Sequence, residues 1–598
     1  MARNKNKQNT FFGGAAILAV GILVVKLIGM FYKIPLVNII GEQGTADFNN
    51  AYNIYAVLLT ISTAGLPVAV SKLVSEAHAL GRENQVKKIF RLALIVFLVL
   101  GTVSFLIMSF KADALAGLMN DAKAAAGIRA LAPAVICVGC LSAFRGYTQG
   151  HSNMAPTSIS QMIEAFCKLV VGLGLAFWLV KAGRPPETAA AGAITGVTVG
   201  TIVALVYMVL SYLMRTRSEG ERLSEDTPAS SKSILGSILR IAIPITLSSS
   251  MVGIVTVIDS SLVQGQLQKV LMNNPESWAL YSQFVDFSEL KDSISMWMAT
   301  LPSTAEPSMD LLTKELAVQS PSAAALAVSD AVQGVSRTLY GNYSGALNIY
   351  NLPTSLMVAV TTAVIPAVSG ALAKKDKEGA GRITGSALRI TALLAFPMGV
   401  GLFVMGKPIM RLLFPSLTNE LAGPLLSTLG LATVFVCMML VCNSVLQAHG
   451  FVNLPVFVMV LGGALKIITN YNVVAMPKVG IYGAPIGNIL CFGLCLVLDL
   501  IIIARVIPKR PKYLPIFIKP LIASAIMGAT AWGMYALLSK IMGGAANLSS
   551  TGNAVATLVA ILAAAVVYAG LIIVLKAISK EDLSLMPKGE KIAKILHL

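Results

Sequence analysis

The sequence predicts an all-α polytopic membrane protein of about fourteen transmembrane helices, built as two pseudo-symmetric six-helix lobes plus two C-terminal helices. Three observations carry this reading. Charged residues are only 12% of the 598-residue chain and hydrophobic ones 56%, with a mean hydropathy of +0.76. Soluble domains carry ~25% charged residues, too many for this chain to match and still cover a water-facing surface. Apolar runs of spanning length recur from end to end, and the two halves repeat.

The apolar runs place spans at 11–40, 51–77, 89–110, 125–148, 156–182, 187–214, 237–265, 338–373, 383–406, 421–447, 453–475, 480–506, 516–541 and 553–577. Arg3, Lys5 and Lys7 precede the first run, which passes Leu36 without a small-residue cleavage site and so reads as a span and not a signal peptide. Cations cluster in alternate loops: Arg82, Lys87, Lys88 and Arg91; Arg215, Arg217, Arg222 and Lys232; Lys374, Lys375, Lys377 and Arg382; Lys509, Arg510 and Lys512. The tail adds Lys580, Lys588, Lys591 and Lys594, while the first opposite loop carries Glu42 and Asp47. The positive-inside rule then puts both termini of a multi-pass membrane protein in the cytoplasm. It also accounts for the formal charge of +18 without a basic nucleic-acid-binding face.

The external loop at 266–337 is unusually long and acidic, with Glu276, Asp286, Glu289, Asp292, Glu306, Asp310, Glu315 and Asp330, and it holds Trp278 and Trp297. Amphipathic helices are expected near 277–299 and 308–335. The insertion reads either as a cap on the outer mouth or as a docking surface for an extracytoplasmic partner.

Gln149, His151 and Lys168 align on Gln447, His449 and Lys466 at an offset of 298, and Asn53-Ile54-Tyr55 matches Asn348-Ile349-Tyr350. Both repeats start from the cytoplasm, so they are parallel repeats related by an axis along the membrane normal. The expected organisation is an N-terminal lobe at 1–225, a C-terminal lobe at 226–514 carrying the insertion, and a last helix pair with its tail at 515–598.

Ionisable side chains at bilayer depth are costly and usually line cavities. Lys26 and Lys33 share a face of span one, about 10 Å apart along the axis. Glu164 and Lys168 are an i,i+4 pair on span five, either lining a cavity or neutralising each other. Lys466 has no acid near it on span eleven, and Asp259 lies toward the outer end of span seven. Arg145, Arg411 and Asp499 fall near span ends and read as solvated. Lysines outnumber acids in this set, and a low-dielectric cleft with net positive charge concentrates anions such as phosphates. The seven cysteines lie in apolar runs and read as packing residues, Cys137 and Cys140 included. The four histidines look scattered, and no metalloprotease, nucleotide-binding or hydrolase motif is present. No enzyme activity, resident metal or cofactor is expected.

Four segments carry a family resemblance: Gly29–Leu36 (GMFYKIPL), Ala64–Glu76 (AGLPVAVSKLVSE), Met154–Lys168 (MAPTSISQMIEAFCK) and Asn351–Ser369 (NLPTSLMVAVTTAVIPAVS). They resemble the stage V sporulation protein B-like polysaccharide flippases of the multidrug/oligosaccharidyl-lipid/polysaccharide exporter superfamily. The resemblance implies two lobes, alternating access, and movement of polyprenyl-pyrophosphate-linked saccharides such as lipid II to the outer leaflet. It also implies cavity-lining cations on span one, where Lys26 matches the first and Lys33, with a one-residue slip, the second. Two further arginines of the lipid II flippases fall near Asn348 and Leu59 here. Some relatives bind sodium between spans seven, eleven and twelve; Asp259 and Asn470 sit in similar places, and the second acid of span eleven is missing. Lys26, Lys33, Lys168, Lys466 and Glu164 are therefore the substrate-site candidates, and Asp259 with Asn470 the Na+ or H+ coupling candidates. The alternative is a cation-coupled multidrug antiporter of the same fold, which would be expected to carry an acid on span one. A scaffold acting through its external loop would leave the buried lysines unexplained.

Overall fold

The computed structural model describes residues 2–578 apart from 64, 152, 220–225, 303–304, 319, 452, 507–512 and 545–547. The expected loop cations Arg222, Lys509, Arg510 and Lys512 and the tail lysines 580, 588, 591 and 594 lie outside the described residues. Among the described residues all regular structure is helical, with no strand. The chain divides into two compact units, Met1–Gly265 and Gln266–Leu598.

Unit 1 opens with α1 (Ala2–Thr63), which covers span one and most of span two and is broken at Gly41 (φ 67°, ψ −164°). A residue with a Cβ would be strained there, and the break lets the chain fold back on itself. There follow α2 (Leu66–Ala79), α3 (Glu83–Phe110), the short α4 (Ala112–Leu118) and α5 (Ala124–Gly150). Span five is made of α6 (Ala155–Cys167), one π-helical turn (Lys168–Gly172) and α7 (Leu173–Lys181). α8 (Pro186–Glu219) and α9 (Ser231–Asn273) complete it, α9 crossing the unit boundary. Two apolar clusters fill the unit, one around Tyr32, Phe48, Tyr55 and Ile128, the other around Val74, Phe90, Phe97 and Phe144.

Unit 2 begins with the insertion: a 3-10 turn (Pro275–Leu280), α10 (Ser288–Met298) and α11 (Met309–Leu316). The second helix expected at 308–335 is in fact two. It stops at Leu316, and after Pro321 the chain restarts as α12 (Ala323–Ala373), capped by Ser322, whose hydroxyl accepts from the Ala325 N–H. α12 has 51 residues, about 75 Å of helix against a hydrocarbon core of about 30 Å, so a substantial part of it extends beyond the bilayer. The insertion is packed: Trp297 is fully buried, its Nε1 donates to Glu315 Oε2 at 2.6 Å, and Tyr281 Oη accepts from the Ile481 N–H at 2.9 Å.

The remaining helices are α13 (Lys377–Leu413), α14 (Asn419–Ala448), α15 (Asn453–Val473), α16 (Gly483–Val506), α17 (Tyr513–Ile541) and α18 (Ser550–Val574). The last pair docks on α13 through Met405, Met527, Ala531, Ala560 and Ala564, and Tyr568 Oη donates to the Leu393 carbonyl at 2.7 Å. Among the described residues eleven stretches are long and apolar enough to cross a membrane. Spans one and two merge into one of these, Val24–Ala79, while α9 and α12 occupy the places of spans seven and eight. All fourteen expected spans thus have a helix, and all seven cysteines are free.

Candidate functional site

The fold-back at Gly41 returns the second half of α1 against the first, so Lys33 meets residues about two turns beyond the break. Its Nζ donates to Asn49 Oδ1 at 2.9 Å and lies 4.6 Å from the Phe48 ring centroid. Tyr32, the next residue back, is fully buried and its hydroxyl donates to the Ala193 carbonyl at 3.3 Å.

Span five supplies the second cation. Lys168 stays one helical turn above Glu164, its N–H reaching the Glu164 carbonyl, and from Lys168 onward the chain widens into a π turn, an insertion that recurs at functional sites. Lys168 Nζ sits 4.9 Å from the Tyr32 ring and 4.8 Å from the Tyr52 ring, two cation–π contacts. Gly172 closes the turn against α8: a Cβ there would lie 2.8 Å from the Ala193 carbonyl oxygen and 3.2 Å from the Tyr32 ring.

Glu164 is not Lys168's partner. It pairs with Arg145 of α5, Nη2 to Oε2 at 3.2 Å, while Arg145 Nε donates to Ser160 Oγ at 3.0 Å. The expected neutralising pair within span five is therefore corrected, and so is the solvated reading of Arg145, whose side chain is 14% exposed. The expectation for Asp499 fails as well: it is fully buried in α16, and neither carboxyl oxygen has a hydrogen-bond partner. Arg411 is half-buried and donates to the Leu548 carbonyl.

This part of unit 1 thus sets Lys33, Lys168, Arg145 and Glu164 among buried and half-buried aromatic rings. Arg145 answers Glu164, and among the described residues no carboxylate answers either lysine. Such a site has two lysines resting on neutral partners that they can leave for a phosphoryl oxygen.

The other candidates fall elsewhere. Lys26 is exposed, two turns before Lys33 on α1. Asp259 is buried on α9 of unit 1, beside a polar band in which Asn53 Nδ2 donates to Ser260 Oγ at 3.1 Å and Asn50 Nδ2 to Asp121 Oδ2 at 2.8 Å. Lys466 and Asn470 are buried on α15 of unit 2. The sequence reading named Arg145 only as a solvated residue near a span end and did not single out the aromatic residues Tyr32, Phe48 and Tyr52. One signal was available: across the repeat Arg145 and Glu164 fall on Asn443 and Gly462, so both members of the pair are absent together.

The helical architecture and the apolar helices of spanning length define a multi-pass membrane protein. Two family models match, one described as "Polysaccharide biosynthesis protein" over residues 11–303 and one as "Lipid II flippase MurJ" over residues 317–575. The two matches together run over most of the chain, which is thus similar to polysaccharide-biosynthesis proteins in its first half and to lipid II flippases in its second. It is 23% identical to the "Uncharacterized membrane protein YabM" of Bacillus subtilis (strain 168), covering 99% of this chain and 97% of that protein. It is also 23% identical to "Stage V sporulation protein B" of the same organism, over 97% and 98% of the two. The solved structure of "Lipid II flippase MurJ, inward closed conformation" superposes with a TM-score of 0.61 at 14% identity, over 94% of this chain and 98% of that one, a likeness of fold.

Proposed function

We propose that the protein flips an anionic polyprenyl-pyrophosphate-linked saccharide, a cell-wall or polysaccharide precursor, to the outer leaflet of the bacterial cytoplasmic membrane by alternating access. The observation that carries this is the Lys33–Lys168 pair, two ammonium groups held on Asn49 and on the Phe48, Tyr32 and Tyr52 rings with no carboxylate to neutralise them. A pyrophosphate must shed water to cross while its polyprenyl tail stays in lipid. Two lysines that are costly alone at this depth offset that desolvation once the anion arrives. A cationic drug would meet the opposite field. The matches to flippase families support the same class, and both termini are assigned to the cytoplasm, with the insertion outside, by the loop charges.

The test is rescue of a strain depleted of its lipid II flippase, read by exposure of the precursor on the outer leaflet. The wild-type chain is expected to restore exposure, and the combined Lys33→Gln, Lys168→Gln chain, at equal protein level, is not. Export of cationic dyes by the wild type without any precursor exposure would instead establish the antiporter. Topology is checked separately: a cysteine at Asn274 in a cysteine-free background should react with an impermeant maleimide on intact cells, and one at Glu219 should not.

A further inference from the structure

Away from the lysine site, the ends of α2, α3 and α5 bring together three side chains that are far apart in sequence. One donor atom each from His78, Glu83 and His151 lie within 4.8 Å of one another, and all three residues are half-buried. The histidines are therefore not all scattered. The backbone explains the meeting. α2 stops at Ala79, the chain turns through Gly81 at φ 71°, and α3 starts at Glu83, so His78 Nδ1 and Glu83 Oε1 face each other at 2.7 Å. His151, the residue that ends α5, lays its ring on His78 with centroids 4.6 Å apart. The first turn of α3 is fixed in turn by Asp226, which accepts from the Asn84 and Gln85 N–H groups, each at 3.0 Å.

We infer that His78, Glu83 and His151 form a binding site for one zinc-class divalent cation, with water completing the coordination. Two imidazoles and a carboxylate are the donor set that such ions take, and three protein ligands leave the fourth position open. The orientation of His151 is the second observation. Its Nδ1 lies 2.9 Å from the Tyr147 carbonyl oxygen, so that nitrogen carries the proton and donates, and Nε2 keeps its lone pair for a ligand. An outer hydrogen bond of this kind is what fixes metal-binding histidines. An ion about 2.0–2.1 Å from each nitrogen holds its donors about 3.3 Å apart. The short His78–Glu83 contact opens slightly and the wider separations close, which half-buried side chains achieve by rotation. Arg215 is a charged neighbour of His151, which opposes a second cation and points to moderate affinity.

The repeat supplies an internal control. In unit 2, His449 ends α14 as His151 ends α5, and its Nδ1 lies 2.9 Å from the Val445 carbonyl oxygen in the same manner. The positions that match His78 and Glu83 by their places at the end of one helix and the start of the next are Leu372 and Lys377. Among the described residues unit 2 keeps the histidine at this place and neither of the other two ligands.

The experiment uses the full-length protein, purified in nanodiscs through a tag without histidines. Zn2+ is titrated by calorimetry, and Co2+ by its visible absorption. The wild type is expected to bind one ion, with the intense bands of a four-coordinate Co2+ site. His78→Ala, His151→Gln and the gentler Glu83→Gln should each weaken binding by more than about tenfold, and His449→Gln should leave it unchanged. Glu83→Gln keeps the side chain's size, so loss of binding with an unaltered melting temperature separates a lost ligand from a lost fold. No saturable binding by the wild type, or binding that survives all three ligand changes, overturns the site. Equal weakening by His449→Gln overturns it too.

Discussion

The fifth span of unit 1 and its counterpart in unit 2, α15, begin from the same repeat and end with different chemistry. Both open after a glutamine–glycine-rich helix end, and both carry a lysine at the repeat-equivalent positions 168 and 466. In unit 1 the lysine sits on a π turn above two tyrosines, and a turn earlier Glu164 reaches Arg145. In unit 2 the helix is regular, Lys466 is buried, and the pair is replaced by Gly462 and Asn443. Gly462 faces α16 closely: a Cβ there would lie 2.4 Å from Cys495 Sγ. The repeat-equivalent helices share a lysine and differ in what surrounds it. A charge pair in a low-dielectric interior is present or absent as a pair, because losing one partner strands the other. A single lysine persists in both lobes because it can answer to something that arrives.

The largest effect expected from this comparison is on transport. Lys33→Gln with Lys168→Gln should lower precursor flipping by more than about tenfold, as the loss of charge-assisted contacts to an anion implies, and by more than Lys466→Gln does. Equal losses from the two units would erase the asymmetry. Next comes stability. Arg145→Gln should destabilise unit 1 by about 1–3 kcal/mol, the pair being only partly buried, and Arg145→Gln with Glu164→Gln should recover part of that loss, since no charge is then stranded. Thermal unfolding of the four chains gives the coupling directly, and a coupling of zero would show that the pair does not exist in solution.

The π turn can be tested through Gly172. Gly172→Ala puts a methyl 2.8 Å from the Ala193 carbonyl oxygen, and overpacking of this sort costs about 1–3 kcal/mol. The same change at Gly174, which has open space around it, should cost less.

The smallest effect concerns the insertion, which has no equivalent in unit 1. Hydrogen bonds from Ser322 and Trp297 hold the Glu315 carboxylate below the ordinary glutamate range. A carboxyl whose folded value is lowered gives stability that is present at neutral pH and lost as the pH falls through that range. Trp297 emission should therefore stay constant through neutral pH and change on acidification, and Glu315→Gln should show the change already at neutral pH. An emission profile that is flat into acid would mean that the Trp297–Glu315 contact does not hold the cap.

The spans were legible because twenty-residue apolar runs leave few alternatives, and the repeat was legible because Gln149, His151 and Lys168 recur without gaps. Other features were not. An i,i+4 spacing paired Glu164 with Lys168, whereas partners distant in sequence take both side chains, Arg145 the carboxylate and the Tyr32 and Tyr52 rings the ammonium. Arg145 read as solvated because depth in a membrane is judged from span ends, whereas its burial comes from α6 packing across it. Asp499 misled for the same reason. His78 and His151 looked unrelated because 73 residues separate them, and only the packing of α2 on α5 makes them neighbours.

The central claim is that the lysine pair of unit 1 receives an anionic lipid headgroup. Native mass spectrometry of the purified protein against equimolar polyprenyl pyrophosphate and neutral polyprenol tests it most directly. The account predicts that the wild type prefers the pyrophosphate by more than about tenfold and that the preference collapses in the Lys33→Gln, Lys168→Gln chain while the tail still binds. A preference that survives both substitutions, or stronger binding of a lipophilic cation than of the pyrophosphate, would contradict it.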